Sequence, residues 1–265
     1  MPAMTEHESG RLVKMLVAAD SGAGKTGALS SLVDAGFNLR ILDFDNGLSP
    51  LRHYVKDKSK LANVRYATLT DELKLTGGRF QITKATAFQI AMSLLDKGGG
   101  EWGEDVGPLS TWTPRDILVL DTLGKMGRAS LLLVMQVNGA LAKQPEIQHY
   151  GTAMENIERF LGQVTSARTP CHVIINTHLT KDEGSQRLYP ESLGSKLNPK
   201  IARDFDNFFS ISMTGGARTI KTSKDGLLAL KCAKPLGAEY TIEDGYAKIF
   251  RELTGVTKLS ELWES

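Results

Sequence analysis

Apolar residues along this chain fall in short unbroken runs separated by polar turns, and run length divides it into strands and helices. Residues 12–19 (LVKMLVAA), 38–44 (NLRILDF), 116–121 (DILVLD) and 171–177 (CHVIINT) are too short for helices and apolar on both faces. That is the pattern of strands at the centre of a parallel sheet. Residues 63–69 predict one more. Helical spacing predicts helices over 25–35, closed by Gly36; over 83–97, where Ala87, Ile90, Ala91, Leu94 and Leu95 share a face before Gly98-Gly99-Gly100; and over 129–142 and 152–167. A helix over 246–254 and a short one over 259–263 close the chain. From Phe205 onward the period shortens to β-like runs, 205–213, 217–222 and 227–232, separated by Gly-Gly and Asp-Gly turns. Segments 98–114 and 184–200 read as surface loops. The expected fold is α/β, a mainly parallel central sheet with antiparallel strands at its C-terminal edge, in one domain over 1–265 with a core at about 12–255 and a polar tail at 1–10.

The first strand runs into Asp20-Ser21-Gly22-Ala23-Gly24-Lys25-Thr26-Gly27, and this order of strand, glycine-rich turn and Gly-Lys-Thr is the pattern of a phosphate-binding loop. Gly22 and Gly24 let successive N–H groups converge on an anion at a helix start. Lys25 is placed to reach the β- and γ-phosphates, and Thr26 to offer its hydroxyl to a magnesium ion. Ala19 stands where the pattern usually has its first glycine, which fits only if that residue keeps a negative φ.

Hydrolysis needs more than a phosphate loop. Asp121 ends a strongly apolar strand, where ligands of open α/β sheets gather, and is the candidate metal-ordering carboxylate. Asp43 and Asp45 end the second strand on one face; Asp45, further along, is the better candidate to activate water, with Asp43 structural. A turn-forming aspartate in Asp-Asn-Gly is the plainer reading of Asp45. His178 follows the strand 171–177 and is placed to sense a γ-phosphate; a surface histidine is its plainer reading.

Composition narrows the classes without choosing among them. No apolar stretch approaches the roughly 20 residues of a membrane span, and the start MPAMTEHESG lacks the apolar core of a signal peptide, so a cytoplasmic protein without membrane contact is expected. The two cysteines, Cys171 and Cys232, lack metal-ligand spacing and read as free thiols. A net charge of +2 says little, yet 215–235 carries Arg218, Lys221, Lys224, Lys231 and Lys234 against Asp225. Such a run is ordinarily a solvated strand face.

Residues 19–26, ILDFDNG at 41–47, ILVLDT at 117–122 and VIINTHL at 173–179 resemble, in that order, the ATPase core of the RecA-like superfamily. HYGTAMENIERFL at 149–161, LALKCAKP and EDGYAKIFRELTG make the chain similar, over about 14–255, to compact phage RecA-like ATPases of the AAA type that act in single-strand annealing and recombination. The resemblance implies Mg-ATP hydrolysis, ATP bound between neighbouring subunits of a homo-oligomer (ring or filament), and single-stranded DNA as partner, with recombination or replication proteins beside it. It implies Asp45 as catalytic base, where most relatives carry Glu, His178 as sensor, and Lys231 and Lys234 as lysines entering the neighbour's site. DNA would lie on loops bearing Lys125, Arg128 and Lys143, then Lys181, Arg187, Tyr189, Lys196 and Lys200. A small-molecule P-loop kinase, which would need an arginine-bearing lid, and a non-catalytic nucleotide-gated scaffold or loader are the alternatives. The terminal LSELW reads as a helix packed on the core rather than a docking peptide.

Overall fold

In the computed structural model, which describes residues 11–264 except 183, 185 and 224, the apolar runs become the middle of a sheet. The elements in chain order are β1 (Lys14–Ala19), α1 (Lys25–Ala28), α2 (Ser30–Asp34), β2 (Asn38–Asp43), α3 (Ser49–Tyr54), β3 (Val64–Thr68), β4 (Glu72–Thr76), β5 (Arg79–Lys84) and α4 (Ala87–Lys97). Then follow β6 (Asp116–Asp121), α5 (Leu123–Val137), α6 (Ile147–Thr165), β7 (His172–Thr177), β8 (Leu179–Lys181), β9 (Leu188–Pro190), β10 (Asn207–Thr214), β11 (Ala217–Lys221), β12 (Glu239–Thr241) and α7 (Gly245–Thr254). Eight strands form one sheet in the order β12-β11-β10-β1-β7-β6-β2-β3. It is parallel from β10 to β3 and antiparallel from β10 to β12, as expected.

The strands β1, β6 and β7 are buried at every position, because helices cover both faces. Met15, Val17 and Ala19 pack with residues of α1, α2, α3 and α7; Leu16 and Ala18, pointing the other way, pack with α4, α5 and α6. Along α6 the buried residues Ala153, Ile157, Phe160, Leu161 and Val164 recur at helical spacing. From β1 the chain crosses to β2 on one side, and only later lays β10 on the other. The carboxyl end of β1 is therefore a switch point, where a crevice opens above the sheet.

Several expected boundaries differ. The helix over 25–35 is two short helices joined at Leu29, whose N–H bonds the Thr26 carbonyl. The helix expected over 129–142 starts earlier, at Leu123, and the one expected over 83–97 starts at Ala87. Residues before Ala87 belong to a β4–β5 hairpin, in which Leu73, Leu75, Phe80 and Ile82 alternate around Gly77 and Gly78, both at positive φ. The run 227–232 makes isolated bridges rather than a strand, because β11 already holds β10 from Ser210 to Thr214 and only the Phe208 position is left for Lys231.

Neither expected surface loop is one. Segment 184–200 contains β9, which pairs with β8, and buries Leu193 and Leu197. Segment 98–114 buries Val106, Leu109, Trp102 and Trp112; Trp102 is fully enclosed and its Nε1–H donates to the Ile41 carbonyl at 3.2 Å. Trp102→Ala should lower unfolding free energy by about 3–5 kcal/mol, read from the denaturant midpoint, since the cavity sits against β2. Cys171 and Cys232 are free thiols, and burial pushes Cys171 up to about 12, which keeps it protonated. Among the described residues, no helix is long and apolar enough to cross a membrane.

Candidate functional site

The turn after β1 carries the chemistry of the crevice. Gly22 and Gly24 lie at φ +76 and +111, where a side chain is strained. Ala19 is the last residue of β1 and keeps a negative φ, so the missing glycine costs the loop nothing in geometry. Lys25 is 7% exposed, and its Nζ donates to the carbonyls of Ala19 (2.9 Å) and Asp20 (3.1 Å), folding back over the loop it follows. Burial holds its pKa below the usual lysine value, with Asp121, Asp45, Asp20 and Glu191 pulling the other way.

Three strand ends deliver the remaining groups. Asp121, at the end of β6, accepts from the Thr26 hydroxyl through Oδ2 at 2.8 Å. Burial pushes its pKa up to about 6, with that hydrogen bond opposing the rise. The Asp121 carbonyl accepts from the N–H groups of Phe44 (2.6 Å) and Asp45 (3.2 Å), which ties the β2 turn to β6. Asp43 is buried and its Oδ1 accepts from the backbone of Asp45 (3.1 Å) and Gly47 (3.4 Å). It shapes the turn, with Asn46 at φ +53, and leaves Asp45 partly exposed at the rim.

His178, just past β7, bridges the two sides. Its Nδ1 is 3.3 Å from Lys25 Nζ and its Nε2 lies 3.5 Å from Asp45 Oδ2. The neutral tautomer with its proton on Nε2 suits both contacts, accepting from the ammonium and facing the carboxylate. Lys125 Nζ stands 3.9 Å from Asp45 Oδ1, so this lysine, expected on a DNA loop, borders the crevice. The structure thus gathers Lys25, Thr26, Asp45, Asp121 and His178 from four separate segments.

Lys231 and Lys234 are not gathered with them. The Lys231 ammonium bonds the Phe205 carbonyl and Lys234 bonds the Leu253 carbonyl, near the amino end of β10. Ala19 pairs with Ile211 and Met15 with Asn207, so these lysines sit about 13 Å further down the sheet than the loop.

Four residues near the loop were not singled out from the sequence. Arg218 on β11 lies against Gly24, where a Cβ would meet its Cδ at 2.9 Å, and donates to the Tyr54 hydroxyl at 2.9 Å. The Tyr54 ring covers Gly27, leaving 3.0 Å to a Cβ there. Glu191 returns from the β8–β9 hairpin, its N–H donating to the His178 carbonyl at 2.8 Å and its side chain lying against Gly124. Asn176, the β7 neighbour of Asp121, is buried, and neither of its amide atoms has a partner among the described residues. Only contacts between distant segments reveal these four; Arg218 alone left a trace, in the basic run.

A loop turned by two glycines at positive φ, a buried lysine, a hydroxyl–carboxylate pair and a histidine facing a second carboxylate can bind a polyphosphate and handle a proton beside it. A family model described as an AAA domain matches residues 11–229, from just before β1 to eight residues past the end of β11. No curated protein matches the chain. With more than half of its length inside that match, the chain belongs to this AAA-domain family, a nucleotide-binding P-loop ATPase.

Proposed function

We propose that the protein hydrolyses Mg-ATP as a RecA-like motor of the phage recombination type, self-assembling and acting on single-stranded DNA. The carrying observation is the contact line Lys25–His178–Asp45, which joins the phosphate loop to the turn after β2 through one imidazole. The residues present fit the ligands. Among the described residues Arg218 Nε is buried without an acceptor beside Gly24 and the Asn176 amide is unpaired beside Asp121, and Asp121 is a carboxylate held where burial penalises its charge.

Thr26 and Asp121 would hold magnesium, which when bound neutralises phosphate charge. Lys25 exchanges its carbonyl and imidazole partners for the β- and γ-phosphates. Asp45 takes a proton from the attacking water as its oxygen bonds the γ-phosphorus and the bond to the β-phosphate oxygen breaks. His178 then returns to Lys25 when inorganic phosphate leaves. Because Glu191 N–H bonds the His178 carbonyl and the Thr177 hydroxyl bonds the Glu191 carbonyl, the whole β8–β9 hairpin is rooted at this sensor. Lys181, Arg187 and Tyr189 lie on that hairpin, and Arg128, Lys143, Lys196 and Lys200 lie on neighbouring exposed surface. These groups would track DNA phosphates and stack a base. Any contribution of Lys231 and Lys234 is made across a subunit boundary. A kinase lid finds no support, since 98–114 is packed into the core around Trp102.

Phosphate release with and without single-stranded DNA tests the reading, with severalfold stimulation expected; turnover indifferent to DNA, or phosphate transfer to a metabolite, would overturn it. Asp45→Ala should lower kcat about 10²-fold with nucleotide affinity nearly unchanged, while Asp45→Glu retains measurable turnover. Equal losses in both variants would remove Asp45 from the role of base.

A further inference from the structure

The β4–β5 hairpin carries an apolar face that nothing among the described residues covers. Its register sets Leu73 against Ile82 and Leu75 against Phe80, so these four side chains share one face. Leu73, Leu75 and Phe80 are 60%, 65% and 78% exposed. The opposite face is polar, with Lys74 beside Gln81 and Thr76 beside Arg79, and at the irregularity before Leu73 Glu72 pairs with Lys84 at 3.4 Å. A two-stranded sheet is marginal alone in water, and an apolar patch of roughly 400 Å² marks an interaction surface. The root is nonetheless fixed. Asp71 Oδ1 accepts from the N–H groups of Thr86 (2.8 Å) and Ala87 (3.0 Å), and the Gln136 side chain bonds both the N–H and the carbonyl of Ala85.

A complementary concavity lies at β10. Leu188, Pro190, Phe208, Leu227 and Leu230 line an open groove of about 560 Å³, and Leu227 at its edge is 57% exposed. Between β3, which leads into the hairpin, and β10 stand β2, β6, β7 and β1, a separation of about 24 Å across the sheet. A ridge on one flank and a groove on the other are different surfaces, so copies pair ridge to groove, reciprocally in a closed two-fold pair or head to tail in a growing chain.

We propose that the β4–β5 hairpin of one copy seats its Leu73, Leu75, Phe80 and Ile82 face in the β10 groove of the next copy. The hairpin patch supplies about half of the roughly 800 Å² that each partner of a stable contact buries, and the strand edges beside it, packed on the groove rim, supply the remainder. Three aliphatic side chains to one aromatic select a protein surface rather than stacked bases. This deepens the self-assembly part of the proposed function and rests on it.

Mass in solution, by light scattering across a concentration series, tests the contact with ATP turnover followed on the same samples. Wild type should grow with concentration. Leu75→Glu/Phe80→Glu and, separately, Leu227→Glu should remain monomeric with unchanged far-ultraviolet circular dichroism, since the substituted side chains are exposed. Mixed one to one, the two variants combine one intact hairpin with one intact groove and should give a dimer that grows no further. A wild type that stays monomeric at every concentration overturns the docking, as does a hairpin variant of wild-type mass or a mixture that stays monomeric. Loss of DNA affinity with unchanged mass overturns it and gives the hairpin to nucleic acid. Mass and turnover separate the readings: an assembled wild type whose hairpin or groove variant keeps wild-type mass removes only the docking, an active but monomeric wild type removes self-assembly and the docking with it, and an assembled protein without turnover removes only the ATPase reading.

Discussion

Lys25→Ala abolishes ATP turnover, with an expected fall of about 10³-fold or more in kcat at saturating nucleotide. The ammonium is buried and already desolvated, so its attraction for a developing phosphate charge is not spent on displacing water. Its bonds to the Ala19 and Asp20 carbonyls also brace the loop, so affinity for nucleotide should fall with turnover. Stability should change little, because removing a buried cation offsets the lost bonds. Phosphate release, binding of a fluorescent nucleotide and the melting temperature, taken together, check this. A stable variant with wild-type turnover would remove the phosphate loop from the chemistry.

Asp121→Asn has two opposite effects. Burial lets the native state hold the Asp121 proton up to about pH 6, well above the ordinary aspartate value of about 4. Since the folded form binds that proton more tightly than the unfolded chain, ionisation costs stability. The cost is absent below about pH 4, develops as pH rises through about 6, and amounts to about 3 kcal/mol above it. Asparagine stays neutral and its carbonyl can still accept from Thr26. The metal-free variant should therefore melt several degrees above wild type at pH 8, and the difference should vanish at pH 4. Its magnesium-dependent turnover should fall at least 10²-fold, because the neutral amide no longer orders the cation. A melting difference that persists at pH 4 would show that Asp121 does not carry the penalty.

Strands and motifs were legible where the chain states its own context. β1, β6 and β7 announce themselves as apolar runs because both faces are buried, and Lys25, Thr26, Asp121 and His178 sit at or just beyond the ends of such runs. Asp43 was legible as structural, since a carboxylate two residues before Asp45 can bond the turn's own amides. Tyr54, Arg218, Glu191 and Asn176 were not, because each matters through residues far away in sequence and none stands in a local pattern. The β4–β5 hairpin was missed for another reason. The helical spacing that begins at Ala87 invites extension backward, and an exposed apolar face breaks the rule that apolar alternation points to a core. The two tryptophans of 98–114 were hidden by the glycines and prolines around them, which signal turns whether or not the turn packs inward.

The helix α5 starts two residues after Asp121 and carries Gln136 in its last turn, where that amide grips Ala85 from both sides. At about 1.5 Å per residue its fifteen residues make a rod of about 22 Å. The root of the hairpin is therefore aligned by the helix that starts beside Asp121, as well as by the sheet edge next to it. In an array of copies joined ridge to groove, the pitch from one subunit to the next would be set by the tilt of that rod.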